Sequence, residues 1–144
     1  LLRGDMDALP MPEDTDLPFR STHEGTMHAC GHDAHTAMLV GAARLLADRR
    51  ESLAGEVAFM FQPGEEGFHG ARYMIEEGAL EGCDAAFALH ITPLLRPGLI
   101  ATRAGTALAS ADEFEIMVRG RGGHASMPHD CIDPIPVACE IVQA

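Results

Sequence analysis

Val57-Ala58-Phe59-Met60-Phe61 runs without a polar interruption into Gln62-Pro63-Gly64-Glu65-Glu66. So short an apolar run, with turn residues behind it, predicts a strand buried on both faces, as in a parallel sheet. Ala85-Ala86-Phe87-Ala88-Leu89 repeats the pattern and ends at His90. Leu1-Leu2-Arg3 reads as the end of a strand, leading into Gly4-Asp5-Met6-Asp7. Between Ala34 and Arg49, Met38, Ala42, Leu45 and Leu46, with Leu39 and Ala43, recur at helical spacing, and Asp33 suits the helix N-terminus. Gly70 to Glu77 predicts a shorter helix, stopped by Gly78. Strand, helix, strand, helix, strand is the pattern of an α/β fold.

The remaining segments have a different texture. Met11 to Met27, rich in Pro, Asp, Thr and Gly, predicts a long loop of the kind that usually serves a function. Leu99-Ile100-Ala101 is a further strand candidate. Phe114, Ile116 and Val118 alternate with Glu113, Glu115, Met117 and Arg119, which predicts a strand with one wet face, as in an antiparallel sheet. Asp133-Pro134 predicts a helix start, with Asp as N-cap and Pro at the first position. The change of texture near residues 104–110 sets an expected boundary between domains 1–107 and 108–144. The chain starts with Leu1 rather than Met and stops at Ala144 within an apolar helical pattern, so it is expected to be an internal segment of a larger protein.

The 144 residues are 47% hydrophobic and 22% charged, an ordinary globular balance. A net charge of −12 argues against nucleic acid and anionic membranes as partners. No apolar stretch reaches transmembrane length, and a cytoplasmic setting is expected. The four cysteines, Cys30, Cys83, Cys131 and Cys139, show no compact disulfide framework. Cys83 and Cys139 are expected to be small buried hydrophobes and Cys131 a loop thiol.

Chemistry gathers where the predicted strands end. In an open α/β sheet ligands bind outside the carboxyl ends of the strands. Asp5 and Asp7, Glu65 and Glu66, and His90 each follow a predicted strand. Met27-His28-Ala29-Cys30-Gly31-His32-Asp33 precedes a helix, again at a connection. Thiolate, imidazole and carboxylate together suit a zinc-like divalent metal. Cys30 and His32 flank a glycine that lets the backbone turn between two donors; taken alone, a structural Cys beside a capping His is an equal alternative. Two adjacent carboxylates at a buried loop end call for a cation. One can hold metal while the other takes a proton from water. A solvated acidic turn is the plain alternative. His90 alone would be a core histidine; only its company makes it a ligand candidate. Asp5 and Asp7 can orient a ligand imidazole or form an Asx turn, and for Asp5 the two stand level. In Gly122-Gly123-His124-Ala125-Ser126, His124 can donate to a developing oxyanion or sit exposed on a Gly-rich hairpin. His23, His28, His35, His69 and His129 are assigned no role in the chemistry.

Four motifs, in order, carry a family resemblance: Arg3-Gly4-Asp5-Met6-Asp7-Ala8-Leu9-Pro10, Met27-His28-Ala29-Cys30-Gly31-His32-Asp33-Ala34-His35-Thr36, Phe61-Gln62-Pro63-Gly64-Glu65-Glu66-Gly67 and Gly122-Gly123-His124-Ala125-Ser126-Met127-Pro128-His129. The chain resembles the amidohydrolase branch of the aminoacylase/carboxypeptidase metallopeptidase family, which includes hippurate hydrolases, N-acyl-amino-acid amidohydrolases and indole-acetyl-amino-acid hydrolases. The resemblance implies an α/β di-metal exopeptidase-like catalytic domain and the start of an inserted α+β ferredoxin-like lid through which homodimers form. By motif match it implies Cys30, His32, Glu66 and His90 as metal ligands, Glu65 as general base, Asp7 as the acidic residue near the site, and His124 as the lid histidine that reaches the substrate carbonyl, in its own or a partner subunit. It implies two divalent ions per full-length chain, Zn or Mn with Co or Ni tolerated, and a small N-acyl amino acid as substrate. Gly64 and Ala34 depart from the family pattern, at positions that hold no ligand. The family's last metal-binding His and most of the lid would lie beyond Ala144. A dipeptidase or carboxypeptidase with the same metals, a catalytically silent metal-binding module, and a plain α/β domain are the rival expectations.

Overall fold

The computed structural model describes residues 1–144, and they form two compact units, Leu1–Leu99 and Ile100–Ala144. The first unit is built on a parallel three-stranded sheet in the order β2-β1-β3, with β1 spanning Leu2–Asp5, β2 Phe59–Gln62 and β3 Phe87–Ala88. Helix α1 (His32–Ala47) joins β1 to β2, and α2 (Gly70–Glu76) joins β2 to β3. The alternation expected from the apolar runs is therefore present. The register pairs Asp5 with Gln62 and Arg3 with Ala88. This brings Asp5, the Pro63–Glu66 turn and the segment holding His90 to one edge of the sheet.

Helix α1 packs on β1 through a face that the apolar periodicity shows only in part: Leu39 is on it, the two histidines are not among the apolar positions. Its buried residues are His32, His35 and Leu39, whereas Met38 and Leu45 are exposed. Gly4 explains the close approach, because a Cβ there would lie 3.1 Å from the His35 carbonyl oxygen and 3.3 Å from Leu39 Cδ2. The helix begins at Gly31, which sits in the left-handed region at φ 81°, a conformation glycine adopts without steric cost. Asp33 is not the cap but stands in the first turn, where its charge suits the helix dipole. The loop over 11–27 is irregular, as expected, and closes through paired hydrogen bonds between Leu9 and Met27. Inside it Glu13 accepts from Thr15 Oγ1 at 2.6 Å and from the Ser21 N–H at 2.7 Å. Those bonds hold its carboxyl below the usual range.

The interior of this unit is more polar than apolar. Leu39 and Met60 are its buried hydrophobic side chains, beside buried Asp5, His32, His35 and Gln62. Two expectations fail here. Neither outer strand is buried on both faces: β2 buries Met60 and Gln62 but leaves Phe59 and Phe61 half-buried, and β3 has two paired residues with Phe87 60% exposed. Leu99–Ala101 forms no strand, and Leu99 and Ile100 are exposed.

In the second unit, α3 (Pro134–Gln143) starts as expected, with the Asp133 side chain accepting the Ile135 N–H at 2.9 Å. Arg121 and Ile132 form an antiparallel bridge around the His124 turn. The alternating stretch 113–119 is not a strand, and Phe114 is 81% exposed. Alternation selects a face only where a neighbouring strand supplies a ladder, and none pairs with this segment. Cys139, expected to be buried, is exposed.

Candidate metal centre

The Gly31 turn aims His32 back into the unit, and His32 ends with no exposed side-chain surface. Neither of its ring nitrogens has a hydrogen-bond partner. Asp7 Oδ1 stands 3.3 Å from Nδ1 but out of line for a hydrogen bond. Asp5 Oδ2 and Glu65 Oε2 stand 3.8 Å from Nε2, and Glu66 Oε1 stands 3.9 Å away. A buried polar atom left unpaired costs about 1–3 kcal/mol. Four carboxylates around one imidazole also repel one another unless a cation is shared. The donor set therefore fits a divalent ion.

Three groups of donor atoms meet at His32, each group within 4.8 Å: Cys30, His32 and His90; His32, Glu65 and Glu66; and Asp5, His32 and His35. Cys30 Sγ lies 3.4 Å from His90 Nε2. His90 Nδ1 faces the Ile91 carbonyl oxygen at 2.6 Å. A carbonyl only accepts, so Nδ1 carries the proton and Nε2 presents its lone pair toward Cys30. Burial pushes the Cys30 thiol up, and neighbouring Glu66, with the charges of Glu65 and Asp5, adds to the effect.

Asp7 organises the glutamate pair: its two carboxylate oxygens accept the backbone N–H groups of Glu65 at 3.0 Å and of Glu66 at 2.9 Å. Burial raises the Asp7 pKa, but these bonds and the neighbouring His32 outweigh it, and the carboxyl lies below its usual range. Asp5 behaves alike. Burial raises its pKa, and the hydrogen bond from His35, with the charge of the neighbouring Arg3 guanidinium, more than reverses that.

The residues singled out at the strand ends thus come together, except that His124 belongs to the second unit. There its Nδ1 accepts from the Ser126 N–H at 3.2 Å and lies 2.8 Å from Ser126 Oγ. The sequence reading passed over His35, which is buried and bonded to Asp5 at 2.6 Å. Its one signal was position: three residues after His32, it shares that helix face.

The chain is 51% identical over 141 residues to N-acetylcysteine deacetylase of Bacillus subtilis, covering 98% of this chain and 37% of that one. It is 50% identical over 145 residues to thermostable carboxypeptidase 1 of Saccharolobus solfataricus, covering 99% and 37%. It is 48% identical over 141 residues to the IAA-amino acid hydrolase ILR1-like 2 of Arabidopsis thaliana, covering 98% and 32%. The chain thus spans about a third of the length of these curated relatives. Among solved structures, the Bacillus subtilis YXEP protein, described as a dinuclear metal binding peptidase from the M20 family, matches 65% of this chain and 26% of its own at 54% identity and TM-score 0.64. A protein from methicillin resistant Staphylococcus aureus matches 99% of this chain and 38% of its own at 38% identity and TM-score 0.82. The family model for peptidase family M20/M25/M40 matches residues 1–142, nearly the whole chain and every strand-end residue described above, and the chain belongs to that family.

Proposed function

We propose that this chain carries the metal-binding part of a hydrolase that cleaves the amide between an acyl group and an amino acid. One observation carries the proposal: His32 is wholly buried, has no partner at either ring nitrogen, and stands among Cys30, His90, Glu65 and Glu66. Cys30, His32, Glu66 and His90 would be this chain's ligands to the two divalent ions of the full-length protein, with Zn or Mn favoured. Such ions supply a Lewis acid that lowers the pKa of water and polarises the scissile carbonyl. Glu65 takes the proton from the attacking water and returns it to the leaving amine. Asp7 holds Glu65 and Glu66 in place through their two backbone N–H groups. His124, whose Nδ1 is an acceptor, keeps Nε2–H free to donate to the substrate carbonyl oxygen. Residues 108–144 would begin a lid through which two copies pair.

The names of two relatives, a deacetylase of N-acetylcysteine and a hydrolase of IAA-amino acids, support an N-acyl amino acid as substrate. The similarity to a carboxypeptidase supports a second reading, in which the acyl part is a peptide. Hydrolysis of N-acetyl, N-benzoyl and indole-acetyl amino acids, measured beside N-blocked peptides, separates them. The expected result is a kcat/KM at least tenfold higher for the simple N-acyl amino acids; the reverse preference makes the enzyme a carboxypeptidase. Elemental analysis is expected to find about two divalent ions per full-length chain, and full activity in chelator with no bound metal would overturn the proposal.

A further inference from the structure

We propose that His35 is the positioning residue for His90: it ties the backbone of Ile91 to Asp5 and so fixes where His90 stands and which ring nitrogen it presents. The strand before His90 cannot do this alone. β3 pairs through two residues only, and both are exposed. His35 supplies the missing anchor from α1.

The chain of contacts is continuous. Arg3 Nη1 meets Asp5 Oδ2 at 2.8 Å, and His35 Nδ1 donates to Asp5 Oδ1 at 2.6 Å, the short length of a charge-assisted bond. His35 Nε2 accepts the Ile91 N–H at 2.9 Å. Ile91 then accepts through its carbonyl oxygen from His90 Nδ1 at 2.6 Å. Both backbone polar groups of Ile91 are engaged, and its side chain fills the space that a Cβ on Gly31 would need. An acceptor at Nε2 and a donor at Nδ1 require His35 to be neutral with its proton on Nδ1. Both nitrogens are therefore spent. Although His35 sits in a donor group with Asp5 and His32, it is not a ligand.

The inference rests on the proposed role of His90 only in its metal-binding arm. The first test needs no metal: long-range proton–nitrogen correlation of the histidine rings in the natural protein, stripped of metal, at pH 7.5. His35 and His90 are both expected with the proton on Nδ1 and a lone pair on Nε2. His35 protonated at Nε2, or at both nitrogens, overturns the proposal. His35→Asn is the informative variant, since its amide still donates to Asp5 but offers Ile91 no acceptor. It should leave His90 in mixed tautomers and weaken Co(II) binding about 10–100-fold, as loss of an outer partner does. His35→Gln, whose Oε1 reaches toward Ile91, should recover part of that affinity. A folded His35→Asn protein with unchanged His90 tautomer and Co(II) affinity sinks the proposal, whatever its melting temperature. Should the variants fail to fold, the ring correlations of the natural protein decide. Should His90 not be a ligand, Co(II) affinity stays flat across the variants while the tautomer of His90 still changes, so the two failures are distinguishable.

Discussion

Glu65 and Glu66 are neighbours held by one carboxylate, Asp7, yet the proposed chemistry asks different things of them. Glu65→Gln removes a proton acceptor and is expected to lower turnover roughly 10²–10⁴-fold with metal content unchanged. Glu66→Gln is expected to lower metal content as well. Activity and elemental analysis on the same samples check both, and near-normal turnover in Glu65→Gln would contradict the assignment. Cys30 adds a pH dependence. Burial, Glu66, Glu65 and Asp5 raise its thiol pKa, so the metal-free protein keeps the thiol protonated at neutral pH. Metal binds the thiolate, so binding releases a proton and affinity must rise with pH. Competition titrations between pH 6.5 and 8.5 should show that rise, and Cys30→Ser should flatten it.

Helix α1 delivers His32 and His35 because Gly31 starts it in a conformation that a side chain resists. Gly31→Ala would combine a positive φ with a clash against Ile91, and a cost of about 1–3 kcal/mol is expected from denaturant unfolding. At α3, Asp133→Ala removes the acceptor for the Ile135 N–H and should cost about 1 kcal/mol, read as faster amide exchange in the first turn. The end of β1 predicts the acid response. Asp5 and Asp7 both lie below the usual carboxylate range in the folded chain. Their stabilisation is complete above the unfolded value near 3.9 and is lost as pH falls through the lower folded values. The urea midpoint of metal-free protein should therefore fall below about pH 4, less steeply in Asp5→Asn.

Over the whole chain, 12294 Å² of surface is accessible. Two separate compact units of these lengths would expose only about 8,500 Å². The excess includes exposed Phe68, Leu94, Ile100, Phe114 and Val142. The 144 residues alone are thus expected to bind a hydrophobic dye and to unfold without a sharp transition; a cooperative melt with no dye bound would contradict this. By itself the sequence determined the alternating α/β order, the placement of Asp5, Asp7, Glu65, Glu66 and His90 after strands, and that of Cys30 and His32 at a helix start, because strands and helix punctuation are written over a few neighbouring residues. β2 at Phe59–Gln62 and the Asp133 cap show that legibility. The segment 113–119 shows its limit, since alternation describes a face without naming a partner strand. Only the tertiary structure decided that α1 buries His32 and His35 beside Leu39 while Met38 and Leu45 stay exposed, and that His35 joins Asp5 to the backbone of Ile91. The bonds that settle this join His35 to Asp5 and Ile91, 30 and 56 residues away. No local pattern encodes contacts at that separation; they exist once the sheet register brings the strand ends together.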